Sequence, residues 1–267
     1  MKNNRFNKLK IKRILRDYTQ NSSITKINWF WLSGFIQGDG CFIIRRTRDE
    51  YILYVSQSLL DVQVLFKIKS FLGYGYVRIQ EKDKMAHFVL QNQKGLIYVL
   101  SHLGPFFDSK NESFLLFLEK YNIVFFNNNL NILSTDFVNL NNAWLSGFID
   151  ADGSFYGSFT KNKHMISGYN LQLRFSITQK SLSVLIIFSK LFNSKVKYNK
   201  KGFHYVILSD KESLDLLLNY LTNFPLFTKK AISLKRWSKL YILFKTKEHL
   251  NQDSLYLKKL VESINKF

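Results

Sequence analysis

One twelve-residue string is written twice in this chain. WLSGFIQGDGCF runs from Trp31 to Phe42, and WLSGFIDADGSF runs from Trp144 to Phe155. A recurring unit constrains the fold more than composition does, because both copies must adopt one local structure and then pack or part. The similarity continues past the motif. Each copy reads next as two strands with a Gln near the end of the second, Gln57 or Gln179, and then an amphipathic helix. A second strand pair follows, YGYVRI with MAHFVL and SKVKY with FHYVIL, and then a helix. A turn headed by Pro closes on lysine, PFFDSK at Lys110 and PLFTKK at Lys230, and a last helix ends the unit. The expected fold is α+β, with two pseudo-symmetric αββαββα repeats built on antiparallel sheets. Residues 1–27 form a basic N-terminal arm, 28–125 the first repeat, and 126–142 an Asn-rich linker. The second repeat covers 143–250, and 251–267 is a C-terminal helix.

The motif itself predicts a helix over Leu32–Gly38. Gly34 and Gly38 then share one face at i and i+4, as do Gly147 and Ala151 in the second copy. A helical Gly costs roughly 1 kcal/mol relative to Ala, so something must compensate. Close packing of the two motif helices about a pseudo-twofold axis does so. That geometry sets Asp39 beside Asp152 where the helices end, with Gly40 and Gly153 read as helix stops. The two carboxylates repel each other and face the negative ends of both dipoles, so a cation belongs there. With the free last-turn carbonyls of Gly38 and Ala151 they make a hard-oxygen site suited to Mg2+. Magnesium beside a phosphate backbone points to phosphodiester hydrolysis.

Charge agrees. The formal net charge is +20, and such an excess must face an anionic partner, nucleic acid first and a membrane surface second. No apolar stretch is long and charge-free enough to span a bilayer, so no membrane partner is expected. Cys41 is the only cysteine, which excludes a disulfide framework and a zinc ribbon and fits a reducing compartment. The first 27 residues hold one acid, Asp17, and suit either a phosphate-binding arm or a targeting peptide. Asn, Lys, Ile, Phe and Tyr are abundant, and their AT-rich codons suggest an organelle genome, that of a mitochondrion or alternatively a chloroplast.

The strands supply a reading surface. In LQLRFSIT, Leu171, Leu173, Phe175 and Ile177 alternate with Gln172, Arg174, Ser176 and Thr178. The apolar face covers the helices. The polar face suits a sheet laid in a major groove, where Gln and Arg forks read base edges. Arg45, Thr47, Tyr54, Ser56, Arg78 and Gln80 are the matching candidates in the first repeat, and Ser158, Thr160, Lys195 and Lys197 complete the second.

Other readings of the motif fail. An EF-hand beginning at Asp150 would have its glycine at the fourth loop position instead of the sixth, and Lys161 where a Glu is needed. A phosphate loop lacks the Lys-Ser/Thr that must follow. The five histidines are scattered, which disfavours a zinc or histidine-metal nuclease. Trp31 and Trp144 are read as core anchors of the motif helices.

LSGFIQGDG (Leu32–Gly40) and LSGFIDADG (Leu145–Gly153) resemble the LAGLIDADG signature, and the chain resembles a monomeric two-repeat LAGLIDADG homing endonuclease over roughly residues 28–245. The resemblance implies that Asp39 and Asp152 bind the metal and that Gly38 and Ala151 offer carbonyls. It also implies that Gln57 and Gln179 lie near the active-site water and that Lys110 and Lys230 lie near the scissile phosphates. The sixth motif position is Asp150 in one copy and Gln37 in the other. By the resemblance that position orients the partner helix, so symmetric packing is not expected there. The implied function is an intron-encoded endonuclease making a Mg2+-dependent double-strand break with short 3′ overhangs in a long asymmetric DNA site. The alternatives are a maturase acting on its own intron RNA, and a catalytically silent DNA-binding relative.

Overall fold

The computed structural model describes residues 26–104, 106–121, 137–165 and 167–267. The basic arm up to residue 25 and the linker up to residue 136 lie outside them. The first motif helix, α1 (Trp29–Asp39), starts where the Asn28 side chain accepts from the Trp31 N–H at 2.9 Å. It feeds β1 (Gly40–Arg45), β2 (Glu50–Ser58), α2 (Val62–Leu72), β3 (Tyr76–Gln80) and β4 (Met85–Leu90). Two helices finish the repeat, α3 (Gln93–Leu100) and α4 (Asp108–Lys120), on either side of the lysine turn. The second repeat runs in the same order: α5 (Trp144–Asp152), β5 (Gly153–Lys161), β6 (Tyr169–Gln179), α6 (Ser183–Leu191), β7 (Val196–Tyr198), β8 (His204–Leu208), α7 (Lys211–Asn223) and α8 (Lys230–Lys245). The C-terminal helix, α9, is Ser254–Ser263.

Each repeat builds one four-stranded antiparallel sheet, ordered β1-β2-β4-β3 and β5-β6-β8-β7. The registers match: Gly40 pairs with Val55, and Gly153 with Ile177. Alternation fixes which face is inside. Leu53 and Val55 point to the helices with Phe42, as Phe175 and Ile177 do with Phe155, and all six are buried.

The motif helices pack backbone to backbone. A Cβ on Gly34 would overlap the Trp144 carbonyl oxygen and lie 2.9 Å from the Phe148 nitrogen. A Cβ on Gly147 would overlap the Trp31 carbonyl and lie 2.8 Å from the Phe35 nitrogen. Trp31 and Trp144 are fully buried, as core anchors should be. Gly40 and Gly153 are not left-handed helix stops. Both are extended, with φ −87° and −71°, and begin the following strands. They are small because a side chain at either would collide with the preceding turn, at Ile36 and Ile149.

Two further contacts join the repeats. Asp61, between β2 and α2, accepts from the Lys229 N–H at 2.6 Å and pairs with its ammonium at 3.4 Å. At the pseudo-symmetric place Ser183 donates to Asp108 at 2.6 Å, and Ser181 donates to the other oxygen of the same carboxylate. Both acids therefore belong to the first repeat.

Candidate active site and nucleic-acid interface

The pseudo-twofold helix pair brings Asp39 and Asp152 together at its C-terminal end. Asp152 Oδ2 lies where a Cβ on Gly38 would clash with it. Gln57, in β2 two residues past the Gly40–Val55 pair, donates to Asp39, and Gln179 hydrogen-bonds Asp152. Lys110 and Lys230 arrive from the first turns of α4 and α8. Lys110 Nζ donates to the carbonyls of Ile36 at 2.7 Å, Gln37 at 2.6 Å and Gly38 at 3.3 Å. Lys230 Nζ donates to Ala151 and, at 3.4 Å, to Ile149. The last-turn carbonyls expected to be free thus accept from ammonium groups. A cation at each helix C-terminus offsets the dipole and lies near both carboxylates.

Burial dominates the electrostatics. It raises Asp39 above the usual carboxylate range, against the pull of Gln57, Lys230 and Lys110. Burial, then the neighbouring Asp39 charge, pushes Asp152 up to about 6. Burial brings Lys110 down to about 8 and also lowers Lys230, while nearby aspartates hold both up. Two acids that resist ionisation beside each other are a strained pair, and Asp152 Oδ2 is buried without a hydrogen-bond partner. An orphaned carboxylate oxygen beside a second carboxylate and two main-chain carbonyls fits a hard divalent cation. Among the described residues no three His, Cys, Asp or Glu side chains come together, so such an ion would draw on those carbonyls.

The sixth motif position breaks the symmetry. Asp150 accepts from Trp31 Nε1 at 2.9 Å, from the Phe227 and Thr228 N–H groups at 2.7 and 3.1 Å, and from the Thr228 hydroxyl at 2.6 Å. Burial still pushes it up to about 6. Gln37 accepts from the Phe107 N–H at 3.0 Å, matching Phe227, but Trp144 Nε1 is buried with no partner.

The candidate readers gather on the outward sheet faces. Arg45, Tyr54, Ser56, Arg78 and Gln80 share the outer face of the first sheet. Ser158, Gln172, Arg174, Ser176, Thr160, Thr178 and Lys197 share that of the second. Thr47 falls instead in the turn Arg46–Arg48, and Lys195 precedes β7; both lie outside the strands, where the two-residue alternation of faces no longer holds. Arg45 is held by Glu50 at 3.0 Å, and Gln80 by Asp83. The faces also carry residues that the sequence reading passed over: His87, stacked on Tyr54 and 3.1 Å from the Ser56 hydroxyl, Tyr76, Tyr156 and Tyr205. Period-two alternation applied to MAHFVL and SFYGSF would have found His87 and Tyr156. Asp61 and Asp108 had no such signal, because their partners lie in the other repeat.

A duplicated unit whose two helices share one acid centre, flanked by two open polar sheets, defines a pseudo-dimer with a single composite site. The chain belongs to the LAGLIDADG endonuclease family, whose model matches residues 32–121 and 145–241. Its relatives include a probable intron-encoded endonuclease 4 of Neurospora crassa, 34% identical over 94% of this chain and 47% of the relative. They also include a cox1 intron-2 protein of 37.2 kDa from Schizosaccharomyces pombe, 29% identical over 84% of this chain and 68% of the relative. The intron-encoded RNA maturase bI4 of Saccharomyces cerevisiae is 28% identical over 80% of this chain and 32% of its own length. The chain thus spans about half the length of the Neurospora relative and a third of the maturase. Among solved structures, the LAGLIDADG meganuclease I-AabMI bound to uncleaved DNA shares the fold, with a TM-score of 0.75 and 23% identity over 90% of this chain and 100% of that one.

Proposed function

We propose that this chain is an intron-encoded, site-specific DNA endonuclease that makes a Mg2+-dependent double-strand break with short 3′ overhangs. It works as a monomer, with one repeat on each half of a long asymmetric site, in an organelle, most simply a mitochondrion. The relatives named for cox1 introns support that setting. The observation that carries the reading is the half-buried Asp39–Asp152 pair, with the buried, unpartnered Oδ2 of Asp152, set between two polar sheet faces.

Asp39 and Asp152, with the carbonyls of Gly38 and Ala151, would hold Mg2+. When bound, the ion supplies Lewis-acid stabilisation of charge developing on phosphate oxygens. Gln57 and Gln179 fix the carboxylate orientations. Lys110 and Lys230, protonated, meet the backbone phosphates nearest the cut. The outward strand residues read base edges and set the register.

The test is cleavage of a randomised duplex library by purified protein, with Mg2+ or with EDTA, and mapping of the ends. A staggered Mg2+-dependent cut supports the reading, and Asp39→Asn or Asp152→Asn should keep binding while losing double-strand cleavage. Cleavage of both strands at the normal rate by either variant overturns the assignment of the acids. The kinship with a protein named as an RNA maturase favours one second reading, in which the chain binds its own intron RNA. Tight intron binding without DNA cleavage would select it.

A further inference from the structure

The two repeats carry cavities at the same place but with opposite charge. β8 pairs with β6 only from Phe175 onward, so that edge of β6 is open from Tyr169 to Arg174. β4 likewise pairs with β2 only from Leu53 onward, leaving Glu50–Ile52 open. Each open edge borders a cavity between sheet and helices. In repeat one it measures about 540 Å3, and Asp49, Glu50, Gln91, Gln93 and Lys120 line it. Lys120 is bound to Asp49, and Glu50 to Arg45. In repeat two it measures about 710 Å3, and its described lining holds no acid. Leucines and Phe244 form much of its wall, and Arg174, Lys211, Lys245, Lys247 and His249 are among its polar groups. Of these cations Lys245 is bound to both oxygens of Asp215 at 2.7 Å, while Lys211 and Lys247 are exposed. The register makes Glu50 the counterpart of Gln172, and Gln91 that of Ser209. The two cavities therefore occupy matching places, and the second has lost the carboxylate of the first there; its cations come from other positions.

We infer that the repeat-two cavity is a phosphate-binding site that seats the DNA backbone at the outer end of that repeat's half-site, and that repeat one has no counterpart. This rests on the DNA reading above. A sheet laid in a groove has the phosphate strands running beside its edges, which is where the cavity opens the edge of β6. Gln172 and Arg174 join it to the outward face. The place along the duplex follows from strand rise. Gln172 is seven residues from Gln179 at the acid centre, or about 24 Å at ~3.4 Å per residue, which is about seven base pairs at ~3.4 Å each.

The test uses the duplex recovered from the cleavage selection and the double variant Lys211→Gln, Lys247→Gln, whose altered side chains are exposed and outside the acid centre. Each lost phosphate contact lowers the slope of log K against log salt by about 0.9. The variant should therefore show a slope shallower by about 2 and weaker binding at low salt, with unchanged cleavage at saturating protein. Neutral methylphosphonates about seven base pairs from the centre should weaken wild-type binding on the repeat-two side by about tenfold and leave the variant unaffected. The same substitution on the repeat-one side should do nothing. An unchanged slope in a variant that still cleaves overturns the cavity assignment and leaves the endonuclease standing. Loss of affinity for intron RNA with intact DNA binding also overturns it. A wild-type chain that binds no duplex removes the DNA reading itself.

Discussion

Trp31 Nε1 donates to the Asp150 carboxylate at 2.9 Å across the two repeats, whereas its pseudo-symmetric counterpart, Trp144 Nε1, is buried without a partner. Both indoles are fully buried, and each meets an aromatic ring edge-on, Phe227 for Trp31 and Phe107 for Trp144. Replacing either by Phe removes similar volume, so the difference between the two variants isolates the hydrogen bond. Trp31→Phe should cost about 1–2 kcal/mol more than Trp144→Phe, measured by urea unfolding. Equal costs would mean that Asp150 gains nothing from the indole.

The glycines at the helix crossing should be the least replaceable positions. Gly34→Ala and Gly147→Ala each force a methyl group into a main-chain carbonyl of the partner helix. Backbone cannot yield as a side chain does, so each should lose about 3 kcal/mol, read as a drop in unfolding free energy.

The acid centre should oppose stability at neutral pH. Asp152 titrates near 6 in the folded chain, against about 3.9 when unfolded. The folded state then holds more protons between those values. Its contribution is fully present below about pH 4 and is lost as pH rises through 6. Asp152→Asn should therefore be more stable than wild type by about 1–2 kcal/mol at pH 7.5, with the gain vanishing near pH 4. Added Mg2+ should raise the Tm of the wild type and leave that of the variant unmoved. A Tm that Mg2+ does not shift would disprove the metal site independently of any activity.

Lys110 should limit the alkaline side. Its ammonium is charged below about pH 8 and lost above it. If that charge meets a phosphate, the single-turnover cleavage rate falls as pH passes 8, and Lys110→Arg removes the fall, since a guanidinium keeps its proton. A wild-type profile flat to pH 9 would leave Lys110 with only its carbonyl contacts.

Much of this architecture was legible in the chain. The duplicated motif located the helix crossing, because only Gly and Ala at i and i+4 allow backbones so close. Alternation in LQLRFSIT oriented a whole sheet. What escaped depended on the partner repeat or on long side chains. Nothing local to Lys110 says that its ammonium folds back onto Ile36, Gln37 and Gly38, since four methylenes reach in many directions. Gly40 looked like a helix stop because Asp-Gly commonly is one, yet its role is steric, against Ile36. Arg45 looked free to read a base until the hairpin placed Glu50 opposite it.

The placing of Asp61 and Asp108 bears on how this chain keeps its halves apart from strangers. Each repeat is built to dock against a near-copy of itself, so two first repeats from different molecules offer the same helix face. In such a pairing Asp61 of one would meet the turn carrying Asp108 of the other, twice, with no Lys229 or Ser183 to receive either charge. Two second repeats would meet with serines and lysines and no carboxylate between them. The ancestral symmetry has thus been converted into a lock with one key, and a tethered chain with this interface prefers its own other half even when identical molecules crowd around it.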